Sequence, residues 1–244
     1  MTTTTLIIGG LLTLVVSFVG GIAGFGFALL CAPALLLLGL PLQFVVTLNL
    51  FLVMLQRVAT LLRLRHDINL PRVTAVVLGS IPGIVLGSWL AVHIDAPTLK
   101  RVAGVAVMFA CAWQFLGSRR PPPPAVPGAP LVAGFLGGVL GTTTSLSGPP
   151  VVILLARDRV APRVFQADLA FYFVVGNAIS LALLAARGAF VREAIFPTAL
   201  YWLPGVLLGN ALGVSVGTRL NDATFRRITY AVAFVSGLVT AITA

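Results

Sequence analysis

The densest set of polar groups in this chain lies in one short stretch. The run Gly141-Thr142-Thr143-Thr144-Ser145-Leu146-Ser147-Gly148-Pro149-Pro150 sets five hydroxyls between two glycines. Hydroxyls donate hydrogen bonds, and Gly141 and Gly148 permit unusual dihedrals and close backbone approach. Pro149 and Pro150 suit the first turn of a new helix. The free amides and positive dipole end of such a helix would face the break and attract an anion. The competing use of the same residues is to cap helices and pack closely, as small residues do between membrane helices. A second glycine-rich break, Gly24-Phe25-Gly26-Phe27, offers backbone donors only.

Arg57 is the sharpest single residue, because it stands inside an apolar run. A cation there costs at least about 2.5–3.5 kcal/mol on insertion scales. It has three uses open to it: holding a substrate, pairing with Asp168, or extending its head toward Arg63. The last is the plainest, since Arg63 is only about 9 Å further along a helix axis. Gln56 and Asn177 fall at roughly equivalent positions of the two halves of the chain, which suits a shared central role. Asn49 and Gln166 could line a cavity or bond between helices. His66 and His93 stand near segment ends and read as structural or solvated. Asp168 follows Arg163 closely enough for an ion pair at a helix end.

These residues are carried by an apolar chain. Of 244 residues 59% are hydrophobic and 9% charged, against roughly 25% charged in soluble domains. A water-soluble fold cannot hide that much apolar sequence, whereas a bilayer removes the need. Apolar segments fall at about 6–39, 42–62, 71–93, 100–117, 131–155, 163–186, 194–216 and 224–243. A span needs about 20 residues, so the expected fold class is all-α and polytopic. The segment 6–39 is too long for one crossing and short for two. With its glycine break, and that of 131–155, a broken helical hairpin fits both better than a straight helix.

The proline run 121–124 cannot be helical and reads as a linker over 121–130. It separates a first membrane repeat, 1–120, from a second, 131–244. Phe18-Val19-Gly20-Gly21-Ile22-Ala23-Gly24 matches Phe135-Leu136-Gly137-Gly138-Val139-Leu140-Gly141. Pro82-Gly83-Ile84-Val85-Leu86-Gly87 matches Pro204-Gly205-Val206-Leu207-Leu208-Gly209, and Leu99-Lys100-Arg101 is echoed by Phe225-Arg226-Arg227. Three matches in one order indicate a duplication.

Charge then sets topology. If segment 131–155 folds back, one face collects Arg63, Arg65, Arg72, Arg119, Arg120, Arg157, Arg159, Arg163, Arg219, Arg226 and Arg227. The other face has Lys100, Arg101, Arg187 and Arg192. Eleven against four is a positive-inside bias. Extending the fold-back to the first half makes the repeats inverted. The termini are then outside, and the loops around 63–72, 118–130, 156–163 and 217–227 are cytoplasmic.

Other function classes fit poorly. The net charge of +10 comes from short loop clusters, so no nucleic-acid partner is expected. There are no paired carboxylates, His/Cys metal clusters or Ser–His pairs at membrane depth, so neither a catalytic residue nor a bound metal is expected. Cys31 and Cys111 read as buried free thiols. The breaks read as the site of a secondary anion transporter near the membrane midplane, working by alternating access. A passive anion channel is the alternative, ahead of a membrane enzyme or scaffold. No cofactor is expected; coupling would be to a proton or sodium gradient. The expected partners are a small anion and the bilayer. The scattered small residues also allow a homodimer.

The duplicated Gly-Gly-x-x-Gly segments, the Gly-Thr-Thr-Thr-Ser-Leu-Ser-Gly-Pro-Pro stretch and the Pro-Gly-x-x-x-Gly pair resemble the TauE/SafE family. This is also known as the sulfite exporter or 4-toluene sulfonate uptake permease family. The resemblance covers nearly the whole chain. It implies an inner-membrane permease for sulfite, sulfoacetate or another organosulfonate, working without ATP hydrolysis. Where the second repeat has Thr142 to Thr144, the first has Phe25, Gly26 and Phe27, so the two repeats would bind substrate unequally.

Overall fold

The computed structural model describes residues 3–27, 30, 31, 35, 39–94, 98, 101, 102, 104, 105, 108, 109, 112, 126–144, 147–186 and 190–242. Its helices include α1 (Thr3–Ala23), α2 (Leu42–Leu64), α3 (Leu70–His93), α4 (Ala129–Thr144), α5 (Gly148–Arg157), α6 (Pro162–Ala186), α7 (Leu200–Gly217) and α8 (Asp222–Ile242). A 3-10 turn at Arg65–Asp67 follows α2, and a π-helical turn at Ala194–Ala199 precedes α7. The described residues contain no strand. Among the described residues, five stretches are long and apolar enough to cross a membrane: Leu6–Ala23, Thr47–Asp67, Leu70–Gly87, Pro162–Leu183 and Ile195–Gly217. The protein is a polytopic all-α membrane protein.

Local chemistry sets the ends of these helices. The Asn69 side chain accepts from the Arg72 amide at 3.2 Å, and Pro71 occupies the first turn of α3. Pro149 and Pro150 open α5 in the same way. Between α1 and the residues that follow, Gly24 takes a φ of 86°, a conformation that glycine adopts without steric cost. Helix resumes at Gly26. In the second half, α4 stops at Thr144 and α5 starts at Gly148. At 16 and 10 residues, these two helices rise about 24 and 15 Å, less than the roughly 30 Å hydrocarbon core. They pack on each other, with Gly141 tight against Ser147. The first arm in the other half, α1, has 21 residues and is long enough to span.

The chain forms two compact units, and each draws on both sequence halves. Unit 1 comprises Met1–His66 and Ala170–Arg219; unit 2 comprises Asp67–Leu169 and Leu220–Ala244. In unit 1, α1 packs along α7; in unit 2, α4 packs along α3. Glycines make both contacts. A Cβ on Gly209 would strike the Leu14 carbonyl, and one on Gly213 the Phe18 carbonyl. In unit 2, a Cβ on Gly79 would strike the Leu131 carbonyl, and one on Gly83 the Phe135 carbonyl. Gly21 and Gly138 lie against the facing helix, Gly21 on Asn210 and Gly213, Gly138 on Ser80 and Gly83. Close backbone approach through small residues is how helices associate where lipid removes the hydrophobic drive.

These contacts change the sequence register. Phe18 and Phe135, matched in sequence, each offer their carbonyl to a facing glycine, Gly213 and Gly83. Gly79-Ser80-x-x-Gly83 of α3, however, corresponds to Gly209-Asn210-x-x-Gly213 of α7. The motif match of Pro82 with Pro204 is two helical turns away from this contact register. Pro82 and Pro204 are exposed and do not make the contact.

The surface of α1 explains why the chain belongs in lipid. Ile7, Ile8, Leu11 and Val15 face outward, whereas Thr13 and Ser17 are buried. That is the reverse of a soluble amphipathic helix. The outward face of α3 carries Leu78, Ile81, Val85 and Trp89, again apolar. Cys31 is a buried free thiol. Cys111 and the first half of the linker, 121–125, lie outside the described residues.

Candidate anion site

In unit 1, α1, α2 and α7 enclose a polar cluster. Ser17 of α1 donates to the Val206 carbonyl at 2.6 Å and lies 3.0 Å from the Gln56 side-chain oxygen. A hydroxyl has one proton, so it cannot donate to both. The Gln56 amide, turned about its terminal bond, would donate to Ser17 instead, and its Nε2 is otherwise without a partner among the described residues. Asn210 of α7 donates to the Thr60 hydroxyl at 2.8 Å and to the Gln56 carbonyl at 3.2 Å. Thr60 donates back along α2 to the Gln56 carbonyl at 3.1 Å.

Arg57 sits beside this cluster and is 1% exposed. Its Nη2 donates to the Gly20 carbonyl at 3.4 Å, which also accepts the Gly24 amide at 2.8 Å. Its guanidinium carbon lies 5.9 Å from the centre of the Phe173 ring. Nε and Nη1 have no hydrogen-bond partner among the described residues; they carry three of the group's five N–H donors.

Arg57 therefore does not extend toward the Arg63 end of α2. Six residues separate the two in sequence, about 120° around the helix at 3.6 residues per turn. Arg63 is exposed and bonds the Ala211 carbonyl and the Ser215 hydroxyl, whereas Arg57 points inward to Gly20. Asp168, the carboxylate offered to Arg57 by the sequence, is engaged within unit 2. That carboxylate accepts the Asn69 amide and Arg72 Nε, both at 2.8 Å, with Arg72 Nη2 at 2.6 Å. Arg163 pairs with Asp67 rather than with Asp168, at 3.2 Å. Glu193 is the only acidic side chain in unit 1, and it is exposed.

A guanidinium stays charged at any physiological pH. A buried charge without a counter-ion is costly. The end of α1 offsets part of this, because C-terminal carbonyls favour a cation. One long bond to Gly20 leaves most of the donors unmet, and an anion would satisfy them.

The first-half candidates converge here. Gly24, Phe25, Gly26 and Phe27 are buried, and Phe27 packs on Gly20, whose carbonyl Arg57 holds. Gln56 is the neighbour of Arg57. Asn177 is buried one turn after Phe173, so both lie on one face of α6; its Nδ2 has no partner among the described residues. The second break belongs to unit 2. Gly141, Ser147 and Gly148 come together at the α4–α5 turn. Thr142, Thr143 and Thr144 end α4, but their side chains, and all of Ser145, lie outside the description. Ser17, Thr60, Phe173 and Asn210 were not singled out from the sequence. The available signal was Asn210, a lone amide between Gly209 and Gly213.

A furrow of about 390 Å³ runs elsewhere, between α1 and α7, lined by Leu6, Ile7, Leu14, Tyr201 and Trp202 among others. It holds no charged group, and the Trp202 indole is already bonded to the Leu6 carbonyl at 2.9 Å. The chemistry lies with Arg57.

No solved structure matches the chain. The chain is 25% identical over 176 residues to the "Probable sulfite/organosulfonate exporter TauE" of Cupriavidus necator, covering 70% of this chain and 67% of that one. The family profile described as "Sulfite exporter TauE/SafE" matches residues 9–240, nearly the whole length. With its apolar spans and this match, the chain is a multi-pass membrane protein that belongs to the sulfite exporter TauE/SafE family.

Proposed function

We propose that the protein is a secondary transporter of small anions, sulfite or an organosulfonate, with Arg57 holding the anion beside the Gly24 break. The carrying observation is the buried Arg57 guanidinium, which among the described residues has no carboxylate partner and leaves Nε and Nη1 open. The family membership and the printed name of the Cupriavidus relative support the substrate class. Burial supports alternating access over a pore: at 1% exposure, Arg57 can meet an anion only after the protein opens. The hydroxyl break at 141–148 enters through its chemistry, as a second set of anion donors.

The loop charges support the topology proposed here, and the family membership supports the membrane. The protein lies in the cell inner membrane with inverted repeats and both termini outside. Transport is coupled to a proton or sodium gradient and needs no cofactor.

Purified protein in liposomes should take up labelled sulfite with saturation. Arg57→Gln should abolish uptake while the protein still elutes as a folded species. If neither binding nor flux appears across a panel of anions, or if Arg57→Gln transports normally, the proposal fails. Flux that never saturates and ignores ion gradients would identify a channel.

A further inference from the structure

Arg57 is the only charged group among the buried described residues of unit 1. The other buried polar side chains there are Ser, Thr, Asn or Gln. Tyr172 and Cys31 are buried too, but phenols and thiols are neutral in their ordinary range near pH 7. The nearest other cation on α2, Arg63, is exposed and already bonded to Ala211 and Ser215. The second half offers no matching charge: Ala178 follows Asn177 where Arg57 follows Gln56.

From this count we infer that the Arg57 site selects monovalent oxyanions, sulfonates or hydrogen sulfite, over divalent ones such as sulfate or sulfoacetate. The inference rests on the anion-site reading above and narrows its ligand. One guanidinium and one monoanion make a neutral buried pair. A dianion on the same group leaves a net negative charge away from water, which low-dielectric surroundings penalise. The three open N–H donors on Nε and Nη1 suit a group with several oxygens around one charge. The neighbours Phe27, on Gly20, and the Phe173 ring beside the guanidinium add no second cation, and the open amides of Gln56 and Asn177 are neutral.

The test uses the purified full chain and titrates methanesulfonate, sulfate and sulfoacetate at matched ionic strength, followed by thermal shift and calorimetry. Methanesulfonate should bind at least about tenfold more tightly than either dianion, and Arg57→Gln should lose that binding. Sulfate or sulfoacetate binding as tightly as methanesulfonate overturns the monovalent preference and leaves Arg57 as an anion site. No binding by any of the three overturns the site reading as well.

Discussion

Asn210 Nδ2 lies 2.8 Å from the Thr60 hydroxyl and 3.2 Å from the Gln56 carbonyl, tying α7 to α2 on either side of Arg57. Interhelical hydrogen bonds in membranes contribute about 0.6 kcal/mol on average and up to about 1.7. Asn210→Leu should cost about 1–2 kcal/mol, because Thr60 loses its donor in a buried place. Unfolding in mixed micelles measures this. Unchanged stability would mean that the contact does not hold α7 to α2.

The helix pairs depend on backbone contact. Gly213→Ala would set a Cβ on the Phe18 carbonyl, and Gly83→Ala would set one on the Phe135 carbonyl. Both should sharply reduce the yield of folded protein in size-exclusion chromatography. Gly176→Ala is the control, since its Cβ would meet nothing within 4 Å. It should be neutral or stabilising by about 0.5–1 kcal/mol.

Arg57 can be tested by stability as well as by flux. A lone buried charge destabilises the protein that carries it. In buffer free of binding anions, Arg57→Gln should raise stability by about 1–3 kcal/mol. It should also remove the stabilisation that an anion confers on the wild type. A loss of stability instead would make Arg57 a structural cap of α1.

The Asp168–Arg72 pair should show an uneven response. Asp168 is 2% exposed and Arg72 19%. Arg72→Gln strands a buried carboxylate and should cost about 3–5 kcal/mol. Asp168→Asn should cost less, because an amide oxygen can still accept the Asn69 amide. In a double-mutant cycle the two should couple by about 1–3 kcal/mol.

Topology is open to single-cysteine labelling in a Cys31→Ser, Cys111→Ser background. Residues placed at Ser118 and Ala161 should both react with an impermeant reagent from the cytoplasmic side. Reaction of the two from opposite sides would remove the fold-back of 131–155.

The sequence carried the helical spans and the second broken hairpin openly, because run length and Gly/Pro punctuation encode both. Gln56 and Arg57 stood out because an amide and a cation rarely sit in an apolar run. The direction in which Arg57 points was not legible: axial rise measures distance, not which face of α2 a side chain leaves from. Ser17 and Val206 meet across 189 residues, a contact created by α1–α7 packing. That packing uses Gly209 and Gly213, in a register two turns from the one that matches Pro82 with Pro204. Asp168 was misassigned for a related reason: Arg163 is near in sequence, but Arg72 arrives from α3.

The pairing of α1 with α7 has a consequence for synthesis. The glycine face of α1 is made long before its covering helix, α7. The partners of unit 2, α3 and α4, are closer in sequence and can associate first. Until α7 arrives, Ser17 lacks its Val206 acceptor, and the glycine face of α1 has no α7 backbone to pack on. A ribosome stalled before residue 200 would therefore leave α1 exposed to quality control, while the later α3–α4 contact could already be complete.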